Sequence, residues 1–197
     1  PIIEGKSVRL LDARSVAENI KELKNSKGIN YLFFTDSVFN IHREYNRELS
    51  SLLIESKVNV KWGAYFTPHN LTYQDLELYQ KAGLTHIEWG TDSLSDIQLE
   101  NYNKSFRFCD IKKLSLHATE LGIYHAHFMI LAGYGETDMT LNQTFERSRE
   151  LGQTIFFPFV GMRIYPRTRL YEIALREGVI SADNNLLIPE YYVSKNV

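Results

Sequence analysis

The chain has 197 residues, of which 44% are hydrophobic and 23% charged, and its formal net charge at pH 7 is −2. This composition suits one globular domain with a real core, and the weak negative charge excludes the basic surface of nucleic-acid or anionic-membrane binding. No apolar run approaches the ~20 residues of a membrane helix, and the single cysteine excludes an internal disulfide and predicts a reducing, cytoplasmic compartment.

Hydrophobic periodicity and turn residues predict helices and strands that alternate along the chain. A first helix is capped by Asp12 or Ser15 and ends near Gly28. Continuous apolar or aromatic runs predict five strands, at residues 29–34, 58–66, 85–89, 123–131 and 154–164. Amphipathic patterns predict the other helices, at residues 41–56, 72–83, 95–121 (broken), 138–151 and 168–177. Pro158 inside the last strand indicates an edge strand or a bulge.

This alternation predicts a parallel α/β sheet with right-handed crossovers. The chain starts at Pro1 with no methionine, and no strand precedes its first helix, so we expect a first strand to be missing. Six parallel strands favour an open, partial (βα)6 TIM-like barrel over a closed eight-stranded one. A flat doubly wound sheet is the alternative, although the Gly-x-Gly-x-x-Gly turn of a Rossmann unit does not occur. We assign residues 1–180 to the barrel core and residues 181–197 to a C-terminal tail.

Polar residues follow the predicted strands, at ends that a parallel architecture brings to one face. Strand by strand they are Thr35, Asp36 and Ser37; Tyr65 and Thr67; Thr91, Asp92 and Ser93; Glu136 and Thr137; Arg163 and Tyr165. Hydroxyls, carboxylates and an arginine together suit a small polar ligand with amine, hydroxyl and carboxylate groups. The alternative for each Asp, Ser or Thr is the N-cap of the following helix.

Two histidines lie two residues apart on one predicted strand, so they share a face of the sheet. His125 and His127 could chelate a metal, but no carboxylate is spaced in sequence to join them. We therefore interpret them as partly buried structural residues and predict no metal ligand. Cys109 lies near a helix start and is interpreted as a packing residue.

Four stretches resemble the radical S-adenosylmethionine (SAM) superfamily, in the right order and over residues 1–180. The closest resemblance is to the group that often carries a cobalamin-binding domain ahead of the radical core. The stretches are residues 33–40 (FFTDSVFN), 88–96 (EWGTDSLSD), 127–136 (HFMILAGYGE) and 163–170 (RIYPRTRL). In the family, the first helps to hold the methionine amino group, the second lies near the ribose and methionine, and the third lies beside the adenine.

The resemblance implies a set of cofactor-binding residues at the strand ends and assigns no catalytic residue. The set is Thr35, Asp36, Ser37, Tyr65, Asp92, Ser93, Ile130, Glu136, Met162 and Arg163. Asp92 takes the place of a family glutamate, whereas Ile130 and Glu136 match the family pattern. Glycines are usual where the chain has Phe128, Ala132 and Arg167, and proline is frequent at Tyr134.

The family binds a [4Fe-4S] cluster through Cys-x3-Cys-x2-Cys, and the chain lacks this triad. Residues 1–6 (PIIEGK) resemble the segment just after it, so we expect the chain to be a core cut downstream of its cluster loop. The resemblance implies that the full-length protein is an Fe-S oxidoreductase. It would reductively cleave SAM at the cluster to give a 5′-deoxyadenosyl radical that abstracts hydrogen. We expect the 197 residues alone to be inactive.

The implied cofactors of the full-length protein are SAM and the [4Fe-4S] cluster, and the subgroup resemblance adds cobalamin, bound by a further domain of the same chain. The partner is a small-molecule substrate that the sequence leaves open; no nucleic acid or membrane is expected. Two other functions stay open at this point. One is a βα-barrel metal hydrolase or aldolase that uses His125, His127 and Asp92, and the other is a non-catalytic barrel module.

Overall fold

A computed structural model describes residues 8–197, so residues 1–6, compared above with the segment after the cysteine triad, lie outside the described residues. The helices are α1 (Ala13–Lys27), α2 (Arg43–Glu55), α3 (Tyr73–Lys81), α4 (Asp96–Asn101), α5 (Phe108–Glu120), α6 (Asp138–Ser148) and α7 (Arg169–Arg176). The strands are β1 (Tyr31–Phe34), β2 (Lys61–Phe66), β3 (Leu84–Asp92), β4 (Tyr124–Leu131), β5 (Ile155–Val160), β6 (Met162–Arg163) and β7 (Tyr191–Tyr192). A 3-10 turn, Phe39–Ile41, precedes α2.

The first five strands form one parallel sheet in the order β1-β2-β3-β4-β5, so each strand pairs with its neighbour in sequence. A doubly wound sheet reverses its strand order at a switch point, whereas a βα-barrel adds each strand on the same side. The observed order confirms the open, partial TIM-like barrel. Within residues 8–197 the sheet does not close, because β1 and β5 each pair on one side.

The main core lies between the sheet and its helices. Trp62, Phe66 and Trp89 are almost fully buried on the helix-facing side of β2 and β3. A second cluster, with Leu99, Met129 and others, packs α4 and α5 against β4. None of the helices in the described part of the chain is long and apolar enough to cross a membrane.

The helix starts follow the capping rules on which the sequence predictions rested. The Asp12 carboxylate accepts a hydrogen bond from the Ser15 backbone N–H at 2.8 Å, so Asp12 is the N-cap of α1. Thr72 and Asp75 form a reciprocal capping box at the start of α3.

The end of the chain departs from the prediction of one last strand over residues 154–164. Gly161 has a φ of +81°, which breaks the run into β5 and β6. β5 is the edge strand of the sheet, as Pro158 indicated. β6 leaves the sheet and pairs antiparallel with β7, which lies within the predicted tail. Residues 181–197 therefore contribute a strand and a buried tyrosine, Tyr192.

Candidate cofactor-binding site at the carboxyl ends of the strands

A cleft of about 280 Å³ lies at the carboxyl ends of β1, β2, β3 and β4. It brings together three residues of the predicted set, Ser37, Tyr65 and Asp92, although they are far apart in sequence. The other lining residues are Val38, Phe66, Thr67, Gly90, Lys104 and Phe128. The cleft thus combines hydroxyl groups, one carboxylate, one ammonium group and aromatic rings, and Arg163, the arginine of the strand-end pattern, does not line it.

Asp92 is the acidic group of this cleft, and a local irregularity of β3 positions it. The pairing register between β3 and β4 shifts between Trp89 and Asp92, and Asp92 has a left-handed φ of +65°. Its carboxylate forms an ion pair with the Lys104 ammonium, and both side chains are about a quarter exposed. Lys104 Nζ also lies 3.5 Å from the Gly90 carbonyl oxygen.

Lys104 is the lining residue that the sequence did not indicate. It lies in the connection between α4 and α5, where no periodic pattern or strand end marks it. Its ammonium lies 5.7 Å from the centre of the Phe106 ring, which is buried. Only the folded connection brings this charge to the end of β3.

Asn40 holds the loop after β2 in place, and Thr67 of this loop lines the cleft. Its buried side-chain amide donates to the carbonyls of Thr67 (3.0 Å) and His69 (3.1 Å), and its side-chain oxygen accepts from the Thr67 N–H (2.9 Å). The Asn46 amide in turn donates to the Phe39 carbonyl at 2.8 Å. The Phe-Asn pair of the first resembling stretch therefore holds the ends of β1 and β2 together.

Thr35, Asp36 and Ser37 are exposed at the end of β1. All three line a second, larger cleft of about 830 Å³ between this end, α2 and residues 8–11. Ser37 lines both clefts, whereas Thr35 and Asp36 line only the larger one.

Ser93 lies behind the cleft and is fully buried. Its hydroxyl lies 3.2 Å from the Thr144 hydroxyl of α6 and accepts from the Ser95 N–H at 3.1 Å. Its hydrogen bonds are thus made with the loop before α4 and with α6.

Glu136 lies at the turn after β4 and is also fully buried. Its carboxylate accepts a hydrogen bond from the Ala132 N–H, and its own N–H donates to the Gly133 carbonyl at 3.1 Å. Burial raises the pKa of its carboxyl, against the lowering effect of the Ala132 and Gly133 amides. Glu136 Oε1 has no hydrogen-bond partner among the residues described. Ile130 is half-buried on β4 next to this turn, and neither residue lines the 280 Å³ cleft.

Met162 and Arg163 form β6, beyond the sheet edge. The Arg163 guanidinium stacks on the Tyr165 ring, 4.9 Å from its centre, and is exposed. Neither residue lines the 280 Å³ cleft.

His125 and His127 point to the helix side of β4, away from Phe128 and the cleft. His127 contacts the hydroxyls of Thr91 (2.7 Å) and Ser115 (3.1 Å), and His125 contacts those of Thr119 and Thr154. Burial lowers the pKa of His125 to about 4 and that of His127 to about 3. The pair is therefore neutral near pH 7 and bonded to hydroxyls.

Asp92 and the histidine pair lie on opposite sides of the sheet, so the arrangement does not form the ligand set of the metal-hydrolase alternative. Within residues 8–197 no group of three or more potential metal ligands occurs among His, Cys, Asp and Glu.

Comparisons with known proteins identify the family of this chain and relatives of its fold. A sequence profile described as "Radical SAM superfamily" matches residues 3–147. The anaerobic magnesium-protoporphyrin IX monomethyl ester cyclase of Cereibacter sphaeroides is 27% identical over 144 residues, which cover 71% of this chain and 24% of that protein. The chain thus spans about a quarter of the length of the curated relatives it matches.

Solved structures of radical SAM enzymes share the fold. The methyltransferase TsrM of Kitasatospora setae, with tryptophan substrate and a SAM analogue bound, gives a TM-score of 0.77 at 21% identity, over 85% of this chain and 34% of that one. The cobalamin-dependent enzyme OxsB gives a TM-score of 0.73 at 13% identity, over 96% of this chain and 35% of that one. Because the superfamily profile covers well over half of its residues, the chain belongs to the radical SAM superfamily.

Proposed function

We propose that this chain provides the SAM-binding wall of a radical SAM enzyme. The observation that carries the proposal is the cleft in which Ser37, Tyr65 and Asp92 meet at the ends of adjacent parallel strands. This is the face on which α/β barrels build their sites, and the superfamily match gives the ligand its identity.

The lining residues fit the functional groups of SAM. The Asp92 carboxylate would accept hydrogen bonds from ribose hydroxyls or from the amino group, and the Lys104 ammonium would pair with the ligand's carboxylate. Tyr65 and Phe128, whose ring centres are 6.2 Å apart, offer π-faces to the adenine or to the cationic sulfonium. The Ser37 hydroxyl offers a further polar contact at the mouth.

The [4Fe-4S] cluster of the superfamily does not fit the residues of this chain. Such clusters are held by cysteine thiolates, and the chain has one cysteine, Cys109, which is exposed at the start of α5. We therefore propose that the cluster ligands lie outside these 197 residues, and that the chain alone binds SAM without cleaving it.

In the complete protein, cluster and SAM together would supply a 5′-deoxyadenosyl radical for hydrogen abstraction from a small-molecule substrate. The named relatives include a porphyrin ester cyclase and a tryptophan-binding methyltransferase, and OxsB is named as cobalamin-dependent. We propose cobalamin and a domain to hold it as further parts of the complete protein. We also propose a cytoplasmic location and a barrel core that ends near residue 180.

The test measures SAM binding to the 197-residue chain by isothermal titration calorimetry. We expect binding, and a Kd at least tenfold weaker in Asp92→Asn, because a charge-assisted hydrogen bond is worth about 1.5–3 kcal/mol. Lys104→Met removes the ion pair but keeps the Asp92 carboxylate, so its Kd for SAM shows how much of the effect of Asp92→Asn comes from the lost ion pair. Asp138→Asn is the matched control, since Asp138 is exposed at the start of α6.

The same protein, reconstituted anaerobically with iron and sulfide and then reduced, is assayed for 5′-deoxyadenosine. We expect none. Absence of SAM binding, or equal Kd values in Asp92→Asn and Asp138→Asn, would overturn the proposed site, and 5′-deoxyadenosine from the chain alone would overturn its predicted inactivity.

The non-catalytic module remains the second candidate, and the single cysteine is the observation that favours it. Sequencing the region encoded upstream of Pro1 distinguishes the two. A Cys-x3-Cys-x2-Cys motif there supports the enzyme, and its absence from the complete protein supports the module.

A further inference from the structure

A row of aromatic rings crosses the concave face of the sheet, opposite the helix-covered face. Its members are Tyr31 and Phe33 of β1, Tyr65 of β2, Phe128 of β4, and Phe157 and Phe159 of β5; we call this set the aromatic row. The rings contact one another in sequence across the strands. Ring-centre distances are 5.0 Å for Phe33–Tyr65, 6.2 Å for Tyr65–Phe128, 5.3 Å for Phe128–Phe157 and 5.9 Å for Phe128–Phe159.

The row is open although its rings are large and apolar. Tyr31 is 47% exposed, Tyr65 37%, Phe157 44% and Phe159 56%. The other face of the sheet buries Trp62 and Trp89 of β2 and β3 almost completely, whereas the edge strand β5 is open on both faces, with Val160 67% exposed. Interiors of βα-barrels are usually filled by branched aliphatic residues, and a contiguous exposed apolar surface of this kind marks a binding site.

His86 of β3 completes the row through a close backbone approach. A Cβ atom at Gly63 of the neighbouring strand would lie 2.2 Å from His86 Cε1, so only glycine leaves room for the imidazole there. The imidazole stacks on Tyr31 at 5.6 Å and 17° and on Phe33 at 5.5 Å and 28°. The Tyr31 hydroxyl lies 3.1 Å from His86 Nε2. The ring is thus held within the row by contacts on three sides.

We propose that the aromatic row binds a planar, conjugated, multi-ring molecule, which is the substrate of the proposed SAM-dependent reaction. The inference rests on the proposed function in one respect: Tyr65 and Phe128 line both the row and the cofactor cleft, so a ligand on the row lies next to bound SAM. The ring-centre distances of 5.0, 6.2 and 5.3 Å from Phe33 through Tyr65 and Phe128 place Phe157 within about 17 Å of Phe33. A row of this length is several rings long and suits an extended ring system.

The chemistry of the row favours π-systems over aliphatic chains. Phe128 and Phe159 are almost parallel, at 12°, and Phe128 and Phe157 meet at 29°, so the rings of β4 and β5 stack on one another in an ordered array. Aromatic rings prefer offset-stacked or edge-to-face partners, and a flat conjugated ligand provides these across its whole area. An alkyl chain would gain from burial alone.

The probe for the test is metal-free protoporphyrin IX, titrated into the 197-residue chain and followed by its absorption band. Phe128→Leu and the double variant Phe157→Leu/Phe159→Leu remove rings but keep apolar side chains. We expect the Kd to weaken about tenfold in each. Phe145→Leu on α6 is the matched control, because Phe145 is 48% exposed and lies off the row; it should bind like the parent chain. Hexadecanedioate, an aliphatic molecule with the same two carboxylates, should not compete.

Several outcomes would overturn the proposal. The first is equal porphyrin affinity in the row variants and in Phe145→Leu, and the second is full competition by hexadecanedioate. The third is a dimer on gel filtration that the double variant abolishes, because a second copy of the chain would then cover the row. Thermal unfolding confirms that each variant is folded. SAM affinity is measured in parallel. If SAM does not bind but porphyrin binds through the row, the proposed function fails and the aromatic site stands. If SAM binds but porphyrin does not, the proposed function stands and the aromatic site fails.

Discussion

Ala132 adopts a left-handed backbone conformation, with a φ of +56°, at the first position beyond β4. An L-residue with a Cβ pays about 1–2 kcal/mol in this region, whereas glycine does not. The resemblance to the family places a glycine there, and the structure supplies the physical reason. Arg167, at a second family glycine position, is left-handed too, with a φ of +61°.

We predict that Ala132→Gly raises the free energy of unfolding by about 1 kcal/mol, because relief of the left-handed strain exceeds the greater flexibility of the unfolded glycine chain. Urea denaturation measures the change. Ala118→Gly in α5 is the control with the opposite sign, since Ala118 is buried in an ordinary helical turn and should lose about 1 kcal/mol. A loss of stability in both variants would contradict the prediction.

At the scale of single residues, the sequence indicated which polar side chains follow the strands better than it indicated which partners they contact. Ser37, Tyr65 and Asp92 could be predicted as cleft residues because strand ends in a parallel sheet converge. Ser93, one residue beyond Asp92, hydrogen-bonds to α6 and the α4 loop, because the shifted register at the end of β3 alters the regular alternation of side chains. Lys104 could not be predicted, since an irregular connection brings it to Asp92.

Secondary-structure elements were the most predictable level, because each begins and ends at a recognisable local signal. Thr72, Gly28 and Pro158 mark a helix start, a helix end and an edge strand, and all three act through backbone chemistry that sequence displays. β7 has two residues and no apolar run of its own, so its existence depends on pairing with β6. Whether such a short strand forms depends on tertiary contacts, and the periodicity of the sequence does not reveal these contacts.

A buried carboxylate also joins two helices, α2 and α3, whose contact the sequence pattern does not predict. The Asp75 carboxylate of α3 forms ion pairs with Arg43 (2.9 Å) and Arg47 (2.7 Å) of α2. Burial raises the pKa of Asp75, but hydrogen bonds from Arg43, Thr72 and Arg47 outweigh this effect and lower it to about 2. The carboxylate therefore stays ionised at neutral pH and links the two helices below the cleft.

The β4 histidines join three elements, and we predict that they make the fold sensitive to mild acid. Burial lowers the pKa of His127 to about 3 and that of His125 to about 4, whereas the unfolded chain takes up protons near pH 6.5. Their contribution to stability is thus complete above pH 6.5 and is lost as the pH falls toward these folded values. The free energy of unfolding should fall by about 1 kcal/mol per pH unit for each histidine.

His127→Gln tests this element, because glutamine cannot take up the proton. The variant should be less stable at pH 7 but should show a shallower loss of stability between pH 6.5 and 4.5, measured by urea denaturation at each pH. His69→Gln is the control, since His69 is exposed in a loop. An unchanged slope in His127→Gln would contradict the assignment.

At the scale of the whole molecule, the predicted barrel core and tail meet at the turn after β4. The Ser194 N–H donates to the Ala132 carbonyl at 2.7 Å, and the Ser194 hydroxyl donates to the Glu136 carbonyl at 2.8 Å. Tyr192 packs edge-on against Tyr134 at 5.7 Å, and its hydroxyl donates to Glu177 at 2.8 Å. Residues 181–197 therefore brace the turn that the family resemblance places beside the adenine.

We predict that Tyr192→Ala costs about 3–5 kcal/mol of unfolding free energy, since it empties a buried aromatic site and removes a hydrogen bond. Tyr191→Ala should stay within about 0.5 kcal/mol, because the Tyr191 side chain is about half exposed. Amide hydrogen exchange of residues 132–136 should become faster in Tyr192→Ala and stay unchanged in Tyr191→Ala. If both variants behave alike, the tail only lies on the surface of the barrel core. If Tyr192→Ala alone loosens the turn, the tail, although it lies outside the barrel core, stabilises the turn beside the proposed SAM site.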